Sequence, residues 1–264
     1  MFGLSLGFNR ASRNQAGHMD SLGRSEERRY LPAGDGALVV EFGTEIDRTV
    51  SEKVMALDAA LAAAPLPGMI ETMPSFRSLL VQFDPLVTDA TAVETALRAL
   101  DATPTTATGI GRRWRLPACY HGEFGPDLRD VAQHAGTSVD ALIADHSDLW
   151  HHVYMIGFLP GAPYMGDMPA PLDLPRRQNP RVRVPQGSVA IAVGLTVIYP
   201  VESPGGWNLL GRCPVPLFAP NQSAPALLSP GDQVQFDPVA PERYAEIGAA
   251  IAAGEWLAER EAML

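Results

Sequence analysis

Between residues 36 and 102 the apolar positions switch between strand-like and helix-like spacing. Residues 37–42 (ALVVEF) form a short β-branched run that predicts a strand. Val50, Val54, Leu57 and Leu61 then recur on one helical face, and Pro65 stops the run. Two further strands are predicted at 69–73 and 79–83, and Val93, Leu97 and Leu100 mark a second helix with Thr88 as its N-cap. The order β-α-β-β-α is most of a split, ferredoxin-like unit, and residues 114–120 (WRLPACY) are the natural last strand. Residues 128–135 predict a short helix closed by Gly136. Thr137 and Asp140 have the spacing of a capping box that opens another helix over 138–146.

The pattern changes over 150–232. Short apolar runs (VYMIGF, SVAIAV, TVIY, QVQF) lie between turns, and the stretch holds 14 of the 24 prolines. That arrangement predicts a small closed or nearly closed β-barrel. Tyr244, Ile247 and Ile251 then predict a C-terminal helix that packs back on the body. The expected fold class is α+β, an N-terminal ferredoxin-like α/β domain followed by a barrel. The expected boundaries are a disordered extension at 1–29, the α/β domain at 30–105, a connecting strand and helices at 106–149, the barrel at 150–240 and the helix at 241–264. Translation starting at Met1 and translation starting at Met19 are both compatible with the sequence.

Composition narrows the function. Gly and Pro number 24 each and 46% of residues are apolar, which excludes both a mostly helical chain and a wholly disordered one. The net charge of −10 argues against a nucleic-acid partner, because phosphate neutralisation needs a basic face. Lys53 is the only lysine, a sign of coding bias rather than of a site. No apolar run is long enough for a membrane span, and the N-terminus lacks a secretory leader, so a cytoplasmic protein is expected. Cys119 and Cys213 have no framework or metal-binding spacing and are read as free thiols.

Several chemistries are missing from the sequence. There is no phosphate-binding loop of the G-x-x-x-x-G-K-[ST] type, no dinucleotide fingerprint, no H-E-x-x-H, no C-x-x-C and no G-x-S-x-G. A self-contained hydrolase with a familiar nucleophile is therefore disfavoured. His146, His151 and His152 make the one histidine cluster; it is read as structural and no metal site is predicted. His152 alternates with Tyr154 on one strand face and is a candidate pocket residue. Three denser constellations fall in the barrel half. Residues 157–166 (GFLPGAPYMG) carry Tyr164 on a loop whose glycines admit close backbone approach. Residues 175–183 carry Arg176, Arg177, Arg181 and Arg183, whose guanidinium forks suit carboxylate or phosphate. Residues 199–212 carry Tyr199, Ser203, Trp207, Asn208 and Arg212 around a Gly-Gly turn.

The succession GALVVEFG, PSFRSLLVQFDP, CYHGEFGPDL, HHVYMIGFLPGAPYMG, LPRRQNPRVRVPQGSVAIA, IYPVESPGGWNLLGRCP and LLSPGDQVQF resembles the family of the 5-oxoprolinase B subunit. The same family is called allophanate hydrolase subunit 1 and includes the kinase inhibitor KipI. The resemblance covers residues 30–240. It implies a cyclophilin-like barrel after the α/β domain. It also implies ATP-dependent opening of 5-oxo-L-proline to L-glutamate, with a subunit-C-like partner and the A subunit of the same enzyme. ATP, with Mg, is implied at a partner interface or on a partner. Arg212, Ser203 and Asn208 are the implied catalytic set. Arg176, Arg177, Arg181, Tyr164, Tyr199, Thr196 and His152 are the implied substrate or anion contacts. The alternatives are a non-catalytic histidine-kinase inhibitor and the carboxyltransferase component of a urea carboxylase or allophanate pathway. Ala162, Leu195, Val197 and Cys213 stand where the family usually has Phe, Gln, Gly and Thr.

Overall fold

The computed structural model describes residues 28–101, 111–255 and 259–262. The expectations for the extension at 1–29 and for the start at Met1 or Met19 fall outside these residues, except that Arg29 already opens the first strand. No described helix is long and apolar enough to cross a membrane.

The N-terminal unit has strands β1 (Arg29–Pro32), β2 (Ala37–Glu41), β3 (Met69–Pro74) and β4 (Ser78–Phe83), with helices α1 (Arg48–Ala63) and α2 (Ala90–Asp101). The sheet order is β1-β2-β4-β3, antiparallel throughout. Leu38, Val40, Leu79, Val81 and Phe83 alternate onto one face and bury against Val54, Leu57, Leu61, Val93 and Leu97 of the helices. Asp47 caps α1 by accepting from the Thr49 and Val50 amides. Asp89, not Thr88, opens α2: its carboxylate accepts from the Ala92 amide at 2.9 Å, while the Thr88 amide is taken by the Asp84 carbonyl.

The expected last strand belongs elsewhere. β5 (Arg112–Ala118) pairs in parallel with β13 (Gln233–Pro238) and antiparallel with β14 (Glu259–Ala262), and β1 fills the place beside β2. Trp114, Leu116 and Ala118 are buried in the second core. Asp232 fastens the strand, accepting from the Arg112 amide at 2.8 Å and from Trp114 Nε1 at 2.9 Å. The segment expected as a connection thus supplies a strand of the second sheet.

That sheet contains β6 (His151–Ile156), β7 (Pro163–Gly166), β9 (Ser188–Ala192), β10 (Leu195–Ile198) and β12 (Asn208–Arg212) as well; its order is β12-β9-β10-β7-β6-β13-β5-β14. β8 (Arg181–Val184) and β11 (Ser203–Gly205) form a separate ribbon. The sheet curls until the chain leaving β5 meets β12. Cys119 and Arg212 exchange two backbone hydrogen bonds of 2.9 Å, and the Asp127 amide reaches the Leu209 carbonyl at 3.1 Å. Residues 119–127 therefore run along the open edge of β12. A Cβ at Gly125 would lie 2.1 Å from the Leu210 carbonyl oxygen, so only glycine admits this approach. Helices α3 (Leu128–Ala135) and α4 (Val139–Ser147) follow. Gly136 closes α3 at φ 69°, and Ser138 rather than Thr137 caps α4 through the Ala141 amide. Helix α5 (Pro241–Ala253) packs Ile247 and Ile251 on the body, but Gly254 ends it in the left-handed region and the chain returns as β14. Residues 241–264 are thus not helical to the end, because the free edge of β5 is available for pairing.

Three histidines lie in or beside this core. The Tyr120 hydroxyl is 2.9 Å from His146 Nδ1, His146 Nε2 is 3.1 Å from Thr196 Oγ1, and His151 Nε2 is 2.8 Å from the His146 carbonyl oxygen. Burial lowers the pKa of His146 and His151, and burial with the nearby Arg48 charge lowers that of His152 to about 4. Each imidazole is neutral in the fold and protonates near its ordinary value, 6.5, once unfolded. The unfolded chain then binds more protons, so stability falls as pH drops from about 6.5 towards 4. Denaturant midpoints between pH 8 and pH 4 should show this decline, and His152→Gln should flatten part of it.

Candidate functional site

The loop of residues 157–162 turns from β6 into β7. Phe158 is held at φ 62° and is 84% exposed, an unusual backbone for a bulky residue. Beneath it lies a cavity of about 140 Å³ lined by Leu159, Ala162, Tyr164, Val197, Tyr199 and Trp207, with Arg176 and the Pro204–Gly206 turn at its edge. The Arg176 guanidinium carbon is 5.5 Å from the centre of the Trp207 ring, which Tyr164 meets edge-on at 6.0 Å. Arg176 makes no ion pair among the described residues.

Burial raises the pKa of Tyr164, and burial together with Tyr164 raises that of Tyr199 to about 12. Both phenols therefore remain hydroxyl donors at neutral pH. The cavity offers an aromatic floor, one cation and two donors, a set suited to a small planar anion with a second acceptor. Its lining has no carboxylate, imidazole or thiol to act as base or nucleophile.

Of the residues singled out in the sequence, Arg176, Tyr164, Tyr199 and Trp207 meet here. The others do not. Arg177 Nη1 and Arg181 Nη2 both donate to Asp127 Oδ1, at 2.9 and 2.6 Å. Arg183 makes a two-pronged ion pair with Glu202 at the surface. Asn208 Nδ2 reaches the Pro175 and Ile191 carbonyls at 3.3 Å each, bracing loop to strand. Ser203 is in β11, and its buried hydroxyl has no hydrogen-bond partner among the described residues. Thr196 is wholly buried beside His146, and His152 faces Ser51 of α1 with Nε2 3.3 Å from the hydroxyl. Arg212 lies at the barrel closure, its guanidinium 5.3 Å from the Phe124 ring centre and near Tyr244 of α5.

Three residues of the site were not visible in the sequence. Asp127 is 3% exposed and is the counterion of the arginine run. The run's charge, in a half nearly free of carboxylates, was the available signal for such a partner. Phe76, from the turn between β3 and β4, backs the cavity: its ring is 6.1 Å from Tyr164 and 5.8 Å from Tyr154. Asp167 accepts from the Tyr154 hydroxyl at 2.8 Å and from Arg48 of α1 at 2.7 Å, tying the two units beside the cavity. Ala162 and Val197 line the cavity and Leu195 packs in the adjoining cluster, so three of the four unusual positions gather here.

Residues 28–228 match the family of the carboxyltransferase domain, subdomain C and D. The chain is 37% identical over 226 residues to the B subunit of the Bacillus subtilis (strain 168) 5-oxoprolinase, covering 80% of this chain and 92% of that one. With the 5-oxoprolinase B subunit of Escherichia coli O157:H7 it shares 35% identity over 212 residues, 80% of this chain and 95% of the other. The crystal structure of TTHA0988 superposes with a TM-score of 0.70 at 36% identity, covering 78% of this chain but only 41% of that longer one. The K. lactis urea amidolyase shares the fold, with a TM-score of 0.74 at 22% identity over 89% of this chain and 16% of that one. The fold and these matches define a carboxyltransferase-domain protein. Within that class, the chain belongs to the family of the 5-oxoprolinase B subunit.

A Cβ on Gly205 would lie 2.3 Å from the Tyr199 hydroxyl oxygen. Gly205→Ala should therefore displace the Tyr199 ring and cost about 1–3 kcal/mol of stability, read from the urea midpoint. Arg212→Met should lower the thermal midpoint through loss of the α5 contact and leave the affinity of small acids for the cavity unchanged.

Proposed function

We propose that the chain is the B subunit of an ATP-dependent 5-oxoprolinase, opening 5-oxo-L-proline to L-glutamate together with a subunit-C-like partner and the enzyme's A subunit. Relatives carrying that name over nearly their whole length support the reading. The observation that carries it is the cavity, whose size and donors suit a small lactam acid. The substrate carboxylate pairs with Arg176, its ring lies against Trp207, and the Tyr164 and Tyr199 hydroxyls donate to the lactam oxygen. Those donors stabilise negative charge on that oxygen as water adds to the ring carbonyl. The ring C–N bond then breaks, and the nitrogen takes a proton and leaves as the amine of glutamate. Hydrolysis of ATP to ADP and phosphate drives the opening.

The lining supplies no base for the water, so the remaining catalytic groups come from the partner and the chain alone is inactive. This cavity is too small for MgATP, at about 140 Å³ against the ~300–1,000 Å³ of sites for drug-sized ligands. The nucleotide is assigned to the partner or to its junction with this chain. The ferredoxin-like and cyclophilin-like readings of the two units belong to the same proposal. The β2-α1-β3-β4-α2 order supports the first and the curled, edge-closed sheet the second. Assembly in the cytoplasm is part of it too.

The tagged chain, recovered from its native lysate, should bring down a subunit-C-like protein, and that complex should form glutamate from 5-oxoproline and ATP. Arg176→Gln should raise KM about 10–100-fold, the worth of a charge-assisted hydrogen bond, with assembly intact. Recovery of a histidine kinase, or of a biotin carboxylase, in place of that partner would overturn the reading in favour of the regulatory or the carboxyltransferase alternative.

A further inference from the structure

The two walls that present Arg176 and Trp207 to the cavity lie outside the main sheet. Residues 175–180 are irregular, and Trp207 precedes the first residue of β12. Three of their hydrogen bonds converge on one carboxylate. Asp127 Oδ1 accepts from Arg177, next to Arg176, and from Arg181, where the first wall ends. Oδ2 accepts from the Leu209 amide at 2.7 Å, two residues beyond Trp207. The Arg177 amide donates to the Gly206 carbonyl at 2.7 Å, and Arg181 Nη1 approaches the Trp207 carbonyl at 3.5 Å. The Arg177–Gly206 bond, the pairing of Arg181 with Gly205 and the 3.3 Å bond of Asn208 to the Pro175 carbonyl join the walls independently of that carboxylate, while the ion pairs pass through Asp127. The carboxylate itself is fixed from behind, because its own amide is bonded to Leu209 and it begins helix α3.

We propose that Asp127 is the positioning residue of the cavity. It touches no ligand; it sets the distance between Arg176 and Trp207 by tying down the chain beside each. Charge adds to the clamp's effect. Two guanidinium groups share one carboxylate, so the knot keeps a net positive charge behind the wall, and an anion entering the cavity meets Arg176 in a field that attracts it. Removing the carboxylate charge frees both guanidinium groups to seek other partners, and the Arg176–Trp207 pair then loses its fixed spacing. That a ligand occupies the cavity rests on the function proposed above; the positioning of Trp207 does not.

The test separates the two. The full chain is labelled with 5-fluorotryptophan, and the Trp207 fluorine resonance is assigned with Trp207→Phe. Asp127→Asn should shift or broaden that resonance while the other tryptophans keep theirs, and Asp127→Glu should restore it in part. Glu202→Gln, which breaks the exposed Arg183 pair, should leave it unchanged. In parallel, the dissociation constant for 5-oxoproline should rise at least 10-fold in Asp127→Asn. If Asp127→Asn does not fold, Arg181→Lys is read in its place, since it removes one arm of the fork and keeps the charge. A lowered thermal midpoint with an unmoved Trp207 resonance would reduce Asp127 to a stabilising residue and overturn the proposal. If the wild-type chain binds no 5-oxoproline, the functional reading suffers and the Trp207 resonance still decides the role of Asp127.

Discussion

The second sheet is closed by a strip of chain rather than by a pair of long strands. Residues 119–127 lie along β12 through the paired amides of Cys119 and Arg212 at one end and the Asp127–Leu209 bond at the other. Gly125 and Gly211 permit that approach, since a side chain at either would collide with the backbone opposite. What surrounds the strip depends on it. Helix α5 rests on it through Phe124 and Tyr244, helix α3 starts from it, and the walls of the cavity hang from the carboxylate at its far end. A buried, unpaired backbone edge costs free energy for each missing partner. The strip satisfies part of that edge without adding a strand.

Much of the N-terminal unit was legible, because its helices carry clean apolar stripes and its strands alternate onto one core. Helix ends were less so. At α2 and α4 the capping role falls to Asp89 and Ser138, one residue beyond the Thr that the pattern favoured, since any of these short polar side chains can cap and one residue of register decides which does. The destination of residues 114–120 was hidden for a different reason. A seven-residue apolar strand has no local feature that chooses between two sheets, and here Asp232, distant in sequence, makes the choice by fixing Trp114.

The arginines show the limits of composition most clearly. Arg176, Arg177, Arg181 and Arg183 read as one patch, yet three of them are already paired: Arg177 and Arg181 with a buried carboxylate, Arg183 with a surface glutamate. Arg176 alone turns to an aromatic ring. Spacing in the sequence reports where the charges are, not which of them a tertiary partner has neutralised. Arg212, singled out for its place beside a Gly-rich turn, lies against Phe124 and near Tyr244 of α5 rather than at the cavity.

The partner of β5 has a consequence for how the molecule is made. β5 lies in parallel register with β13, so Arg113 meets Gln233 and Ala118 meets Pro238. The N-terminal unit has all its strands and helices by Asp101 and is able to condense while the rest is still being synthesised. The barrel has no such freedom. Its strand β5 gains its parallel partner only once the chain through residue 238 has been synthesised. Pairing across so long a stretch of chain is slow to form.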